Sequence, residues 1–227
     1  MIHAVIFDLF GTLVDAPSPA RRRVAVAVLA RAASQSEVTI DTYLDSSWTA
    51  RHDGTLATVS ALSSHLIHHT RSRAPTDDIA AAWRVLAPPR LQPDLSVIQA
   101  LGSLHCAGIR IGLMSDASAE IAEAWQHSAA APFVDHAVFS CTARALKPAP
   151  SLYREVLAAL DVSPSDALYV GDGGGDELRG AVRLGISALR VARRGGVDAL
   201  SYGETTPWPG ADLDKVESLH AMLTAGA

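Results

Sequence analysis

The sequence predicts an α/β protein built on a doubly wound parallel sheet. Four apolar runs are followed directly by Asp8, Ser115, Ser140 and Gly171. With a fifth, they predict buried strands at residues 4–7, 109–114, 137–139, 168–170 and 186–191. Stretches with helical spacing of apolar residues lie between the later runs, at 95–105, 120–128, 152–160 and 177–184. Alternating strands and helices predict crossover connections, and in such sheets the ligand binds at the carboxyl ends of the strands.

Residues 17–92 interrupt this alternation. They contain no convincing strand, and their spacing predicts helices at 20–33, 39–51, 56–70 and 77–86. Prolines flank the segment, which is typical of chain turns between structural units: Pro17, Pro19, Pro88, Pro89 and Pro93. We therefore predict a catalytic core of residues 1–16 and 93–227 and an inserted helical domain of residues 17–92.

Composition narrows the possible functions. The 227 residues are 48% hydrophobic and 19% charged, which is enough apolar material for a sizeable core. The net charge is -5, and no basic surface for nucleic-acid binding is indicated. No apolar run is long enough to span a bilayer, and no leader is visible. Cys106 and Cys141, both expected in core elements, are typical of a reducing compartment. We expect a cytoplasmic protein with a small-molecule substrate and no nucleic-acid or membrane partner; its oligomeric state stays open.

Four polar residues follow predicted strands or their loops: Asp8, Ser115, Lys147 and Asp172. They are expected to meet at one edge of the sheet. Phosphoryl transfer through a covalent intermediate needs such a set, namely a carboxylate nucleophile, hydrogen-bond donors, a cation and carboxylates for magnesium. Each residue also has a structural interpretation, because an Asp at a strand end often caps a helix and a Lys-Pro pair often begins one.

Four segments resemble the motifs of haloacid dehalogenase-superfamily hydrolases: FDLFGTLVD at 7–15, LMSDAS at 113–118, ALKPAPSLY at 145–153 and YVGDGGGDELRGA at 169–181. The resemblance spans nearly the whole chain. The helical insert after the first motif resembles the small cap domain of that superfamily, in the position of its first cap class. The resemblance implies a Rossmann-like core and catalysis through an aspartyl intermediate.

The resemblance also assigns roles to residues. Asp8 is expected to be the nucleophile, Thr12 to orient its loop, Ser115 to donate to the substrate and Lys147 to neutralise nucleophile and substrate. Asp116 follows Ser115 and is expected to line the substrate site.

For magnesium, the implied ligands are the carboxylates of Asp8 and Asp172 and the main-chain carbonyl of Phe10. Asp176 or Glu177 would complete the set, and the sequence does not decide between them. A carbonyl, one or two carboxylates and several waters suit Mg²⁺.

Two residues depart from the pattern of the superfamily's phosphatases. Phe10 stands where they carry an Asp that protonates the leaving group, and a positioned acid contributes about 10²- to 10⁴-fold in rate. Asp116 stands where the family usually has Asn. The 2-haloacid dehalogenases have an aromatic residue at the position of Phe10, since a halide leaves without a proton, but they are metal-free and carry neutral residues around the fourth motif.

The retained Asp172 leads us to predict a magnesium-dependent hydrolase of a small phosphorylated metabolite. Crowded carboxylates repel unless a cation separates them. The alternatives are a 2-haloacid dehalogenase and a binding protein that has lost catalysis. In the helical domain, Trp48, Arg51 and His52 are the interesting residues, because the cap selects the substrate in this superfamily, and Arg51 is a candidate to bind an anionic group. His65, His68 and His69 are interpreted as a polar helix face.

Overall fold

The computed structural model describes residues 2–195 and 207–225. In this part of the chain six parallel strands form one sheet, in the order β3-β2-β1-β4-β5-β6. The strands are β1 Ala4–Phe7, β2 Arg110–Ser115, β3 His136–Phe139, β4 Ala167–Gly171, β5 Ser187–Val191 and β6 Asp212–Leu213. β1 lies between β2 and β4, with Phe7 paired with Leu113 on one side and Val170 on the other. The predicted fold class is confirmed.

Helices cover both faces of the sheet and fill the segment after β1. They are α1 Pro19–Ala33, α2 Glu37–Ser46, α3 Trp48–His52, α4 Val59–Thr70, α5 Thr76–Leu86, α6 Leu95–Cys106, α7 Ala119–Ala124, α8 Ser140–Ala143, α9 Pro150–Ala159, α10 Glu177–Arg183 and α11 Leu219–Ala225. Short 3₁₀ turns lie at Pro88–Arg90, Trp125–His127, Ala131–Phe133, Pro164–Asp166, Gly174–Asp176 and Val216–Ser218. No helix of the described residues is long and apolar enough to cross a membrane.

The helix predicted over residues 39–51 is wrong in one respect, because it breaks at Ser47. The Ser47 hydroxyl donates to the Tyr43 carbonyl at 2.6 Å, and the Ser46 hydroxyl donates to the same oxygen at 3.2 Å. Serine hydroxyls that bond to the preceding turn compete with the helical pattern. Ser47 is therefore both the C-cap residue of α2 and the N-cap residue of α3.

Three apolar clusters account for the packing. Successive residues of β1 point to opposite faces of the sheet, so Val5 and Phe7 pack in one cluster while Ala4 and Ile6 pack in another. The third cluster belongs almost wholly to helices α1 to α5, around fully buried side chains that include Leu29, Tyr43, Leu62 and Ile79. The boundaries predicted for the helical domain stay a prediction, although the segment clearly has an apolar core of its own.

Two expectations outside the site need correction. Cys106 was expected in a core element but is exposed at the end of α6, whereas Cys141 is buried. The strand β6 and the helix α11 were not predicted, since a strand of two residues is too short to show periodicity.

Gly112 in β2 is expected to tolerate no side chain, because a Cβ there would lie 2.6 Å from Val156 Cγ2 and 3.0 Å from Leu160 Cδ1. Overpacking of this kind costs typically about 1–3 kcal/mol. We expect Gly112→Ala to lower the free energy of unfolding by that amount in urea titrations. Gly102→Ala is the matched control: its Cβ would meet Phe133 Cε1 at 3.4 Å in α6, and we expect no loss, or a gain of up to about 1 kcal/mol. Equal effects at the two positions would contradict the prediction.

Candidate active site

A cavity of about 140 Å³ opens at the carboxyl ends of the strands. The structure brings Asp8, Ser115, Lys147 and Asp172 together there, at the edge predicted from the sequence. Phe10, Asp116 and Arg51 also line it. Asp8 and Asp172 come directly after β1 and β4, Ser115 ends β2, and Lys147 lies on the loop between α8 and α9. Parallel strands thus place four segments that are distant in sequence at one site.

The Lys147 ammonium holds two carboxylates at once. Its Nζ donates to Asp8 Oδ1 at 2.5 Å and to Glu177 Oε2 at 2.5 Å. Asp8 is 4% exposed and Glu177 is 0% exposed, so these ion pairs are shielded from water. Charge-assisted hydrogen bonds of this length are among the stronger ones in proteins.

Burial sets the protonation of this group. It raises the pKa of Asp8, and the nearby Lys147 charge opposes that rise. Burial and the Asp8 charge raise the pKa of Glu177 to about 8. The pKa of Lys147 lies well above its usual range, since the two carboxylates outweigh its own desolvation. At neutral pH the ammonium is therefore charged, and Glu177 is the member of the group best able to keep a proton.

The loop after β1 orients the Asp8 carboxylate. Thr12 Oγ1 donates to Asp8 Oδ2 at 2.9 Å. The loop itself is closed by the amides of Leu13 and Val14, which both donate to the Leu9 carbonyl. Gly11 has a φ of +91°, and a Cβ there would collide with the Asp172 carboxylate. The tight loop therefore lets Asp8 and Asp172 approach each other.

Asp172 is held by an arginine that the sequence analysis did not identify. Arg193 Nε donates to Asp172 Oδ2, and the amide of Gly174 donates to Asp172 Oδ1 at 2.9 Å. Arg193 follows the carboxyl end of β5, so it lies at the same sheet edge as the other site residues. Applying the strand-end rule to the fifth predicted strand would have found it.

Asp8, Asp172 and Glu177 form a cluster whose carboxylate oxygens lie within 4.8 Å of one another. The donor type suits magnesium. However, each of the six oxygens already accepts a hydrogen bond from the protein, with Gly173 N and Tyr169 OH completing the set on Glu177. Lys147 and Arg193 therefore provide the positive charge that the sequence analysis assigned to a metal. The residues fit Mg²⁺ in chemistry, but Arg193 would have to leave Asp172.

The structure separates the two residues left undecided by the sequence. Glu177 belongs to the cluster, whereas Asp176 does not. The Asp176 carboxylate lies 3.7 Å from Arg179 Nε and 3.5 Å from Arg183 Nη1, along α10. Asp176 has a left-handed φ of 54° before the helix begins, which turns it away from Glu177. We therefore withdraw Asp176 from the candidate ligands.

Phe10 lines the cavity without offering a titratable group. The guanidinium of Arg90 lies 4.9 Å from the centre of its ring, within the range of a cation–π contact. Arg90 also approaches Glu120, with 3.4 Å between Nη1 and Oε1. An aromatic side chain at position 10 therefore holds a cation at the mouth of the site.

The helical segment contributes Trp48, Arg51 and His52 to the cavity. Arg51 is 8% exposed and is oriented by Nε donating to Ser47 Oγ at 3.1 Å and Nη2 donating to the Leu44 carbonyl at 2.9 Å. His52 stacks on Trp48, and its Nδ1 lies 2.7 Å from the Trp48 carbonyl. A carbonyl can only accept, so Nδ1 carries the proton. Burial lowers the pKa of His52 to about 3, which leaves the ring neutral.

Ser115 and Asp116 complete the polar lining. Ser115 Oγ is buried and has no hydrogen-bond partner among the described residues, so its hydroxyl can donate to a substrate. Asp116 Oδ1 accepts from the backbone amide of Lys147 at 3.0 Å. Burial raises the pKa of Asp116.

Comparisons with known proteins agree with this geometry. The family model described as haloacid dehalogenase-like hydrolase matches residues 2–185. The (S)-2-haloacid dehalogenase of Xanthobacter autotrophicus is 30% identical over 196 residues, which cover 85% of this chain and 76% of that protein.

Two solved structures share the fold. The L-2-haloacid dehalogenase from X. autotrophicus with chloropropionic acid covalently bound has a TM-score of 0.64 and 24% identity, and the match covers 100% of both chains. A HAD phosphatase from Thermococcus onnurineus has a TM-score of 0.67 and 17% identity over 98% of both chains. The fold is therefore common to proteins with either name and does not choose between the two chemistries.

The raised pKa of Glu177 predicts a pH dependence of stability. The folded state holds the Glu177 proton more tightly than the unfolded state, where the pKa is near 4.5. This contribution is therefore complete below pH 4.5 and is lost as pH rises towards 8. In urea titrations from pH 5 to 8, we expect the free energy of unfolding of the wild type to decline with pH. In Glu177→Gln the slope of this decline should be smaller by up to about 1.4 kcal/mol per pH unit. Glu123→Gln, at an exposed glutamate, is the control. If the free energy of unfolding had the same pH dependence in the wild type and in Glu177→Gln, the raised pKa of Glu177 would be contradicted.

Proposed function

Because this chain belongs to the haloacid dehalogenase-like hydrolases, we propose that it cleaves the carbon–halogen bond of a small 2-halo carboxylic acid through an ester on Asp8. The observation that carries the proposal is Phe10. It lines the cavity at the position where the superfamily's phosphatases have their acid. A halide leaves as a stable anion and needs no proton, so the absence of an acid at position 10 does not hinder this step.

The similarity to a dehalogenase supports the same function. The X. autotrophicus protein, at 30% identity over 85% of this chain, is named an (S)-2-haloacid dehalogenase. A phosphatase is predicted from the sequence because Asp172 is expected there to bind magnesium. The pairing of Asp172 with Arg193 removes the electrostatic reason for that preference. The alternative from the sequence analysis is therefore better supported than its main prediction.

Two steps follow from the geometry. An Asp8 carboxylate oxygen attacks C2 of the acid, a C–O bond forms, and the C–halogen bond breaks with its electron pair on the halide. Water then attacks Cγ of Asp8, and the ester bond between Cγ and the substrate oxygen breaks. One proton of the water ends on the hydroxyl of the 2-hydroxy acid, and the other passes to the carboxylate cluster as the Asp8 carboxylate is restored. Lys147 and Thr12 hold Asp8 in place for both steps, at 2.5 and 2.9 Å.

The charge of the cavity suits an anionic substrate. Of the described residues that line it, Arg51, Arg90, Lys147 and Arg193 are cationic. Arg51 is held by Ser47 and the Leu44 carbonyl, and Arg90 approaches Glu120. Both line the cavity from the helical segment, opposite the strand ends, and we assign them to the substrate carboxylate. Arginine matches a carboxylate with two parallel hydrogen bonds. The cavity volume of about 140 Å³ fits a small acid.

The proposal predicts halide release that depends on Asp8. With (S)-2-chloropropionate or (S)-2-bromopropionate, we expect halide and a 2-hydroxy acid in equal amounts, unaffected by EDTA. Asp8→Asn should lower the rate by more than about 1000-fold, as loss of a nucleophile does. Asp15→Asn, an exposed aspartate outside the cavity, should retain activity. Single-turnover hydrolysis in H₂¹⁸O should place the label first in Asp8. No halide from any 2-halo acid would overturn the proposal.

A magnesium-dependent phosphatase is the second candidate, and one observation favours it. Asp8, Asp172 and Glu177 converge as oxygen ligands for a cation. When bound, Mg²⁺ would neutralise the phosphoryl oxygens. Without an acid at position 10, acyl or aryl phosphates are the substrates that this site would favour.

The two candidates differ in their response to metal. Under the dehalogenase proposal, adding Mg²⁺ should leave the Tm of the wild type unchanged. In Arg193→Ala, where Asp172 has lost its arginine partner, adding Mg²⁺ should raise the Tm by at least about 2 °C. Arg190→Ala, which removes an exposed pair with Asp212, is the control. Phosphate release from acetyl phosphate or p-nitrophenyl phosphate that needs both Mg²⁺ and Asp8 in the wild type would instead establish the second candidate.

A further inference from the structure

We propose that a second pocket, between α1 and α5, binds an apolar substituent of the substrate, so that the preferred substrate is a 2-halo acid with a chain of several carbons on C2. This inference rests on the proposed function. We call this site the α1–α5 pocket; its apolar lining includes Val24, Ala25, Val28, Leu44, Trp83 and Leu86. Its volume is about 470 Å³, compared with about 140 Å³ for the catalytic cavity.

The α1–α5 pocket adjoins the catalytic cavity. Pro17, Arg51 and Arg90 line both. A molecule bound at this junction would therefore contact both spaces. Because Arg51 and Arg90 are the groups assigned to the substrate carboxylate, the carboxylate would lie at the junction, with the halogen-bearing carbon towards Asp8. A substituent on that carbon can then extend into the second pocket.

Size and polarity distinguish the two spaces. The catalytic cavity is lined mainly by charged side chains, which favour the carboxylate and the halogen-bearing carbon. The α1–α5 pocket also has polar lining residues, namely Ser18, Arg21, Arg22, Arg51, Arg90 and Glu120. Most of its lining is nevertheless apolar, and the valine, leucine, alanine and tryptophan side chains favour a hydrocarbon chain. A three-carbon acid would leave this apolar lining in contact with water. A longer chain would cover it.

The wall of the pocket also carries unsatisfied polar atoms. Trp83 and Glu120 are 3% and 1% exposed, and both line the pocket. Trp83 Nε1 and Glu120 Oε2 have no hydrogen-bond partner among the described residues. Proteins rarely leave such atoms unpaired. A hydrocarbon chain cannot pair with either atom, so we expect water beside Trp83 Nε1 and Glu120 Oε2 and the alkyl chain along the apolar side chains of the pocket.

The test is a chain-length series of (S)-2-bromo acids, from propionate through butanoate and hexanoate to octanoate. Each buried methylene should raise kcat/KM about three- to fourfold until the pocket is filled. Val28→Trp and Ala25→Phe, which fill the pocket, should remove this gain and bring the octanoate-to-propionate ratio of kcat/KM near one. Val38→Trp places the same bulk on an exposed residue of α2 outside the pocket and should keep the wild-type ratio. Circular dichroism confirms that each variant is folded.

A binding measurement separates this inference from the proposed function. Hexanoate and octanoate carry no halogen, and calorimetry should show dissociation constants that fall with chain length in the wild type and not in Val28→Trp. That result would support the pocket even if no 2-halo acid released halide. A flat chain-length profile in both assays would overturn the inference while leaving the dehalogenase proposal intact. A second outcome would also overturn the inference. If Val24→Asp changed the oligomeric state but left the dependence of kcat/KM on chain length unaltered, the surface at Val24 would be an interface between copies of the chain.

Discussion

The buried ammonium of Lys147 is the interaction on which the site depends. It lies 2.5 Å from a carboxylate oxygen on each of Asp8 and Glu177, and those residues come from the end of β1 and the start of α10. Removing one partner of such a group leaves an uncompensated buried charge, which costs about 3–5 kcal/mol. Lys147 therefore joins three segments of the chain and fixes, in the same contact, the carboxylate that we propose as the nucleophile. Stability and chemistry are coupled at this point of the fold.

Glycines make that contact possible. Gly171 ends β4, and a Cβ there would collide with the Glu177 carboxylate. Gly173 and Gly175 have left-handed φ values of 93° and 62°, so the chain can turn sharply between the strand and α10. This turn directs Glu177 inwards and Asp176 outwards. Two neighbouring acids thus acquire different environments, one buried against Lys147 and one facing the arginines of α10.

Sequence patterns predicted the parts of the site that follow from sheet geometry. Asp8, Ser115 and Asp172 were found because parallel strands bring their carboxyl ends to one edge, and the structure places them there. The choice between Asp176 and Glu177 depended on left-handed backbone angles, which apolar spacing does not encode. Arg193 follows the fifth predicted strand, and the sequence prediction did not extend the strand-end rule to that strand. The α1–α5 pocket arises from how two helices pack, and the period of each helix shows only which face is apolar.

Phe10 and Arg193 have complementary effects on the chemistry. Phe10 removes the acid that would protonate a poor leaving group, and its ring holds Arg90 at 4.9 Å near the cavity. Arg193 supplies to Asp172 the positive charge that a divalent cation would otherwise supply. Under the proposed function, a site without this acid favours groups that leave as stable anions. With Lys147 and Arg193 both paired to carboxylates, it does not need a metal to keep Asp8 and Asp172 close together. Phe10 and the pairing of Arg193 with Asp172 both agree with the proposed chemistry, in which Asp8 would displace a halide at carbon.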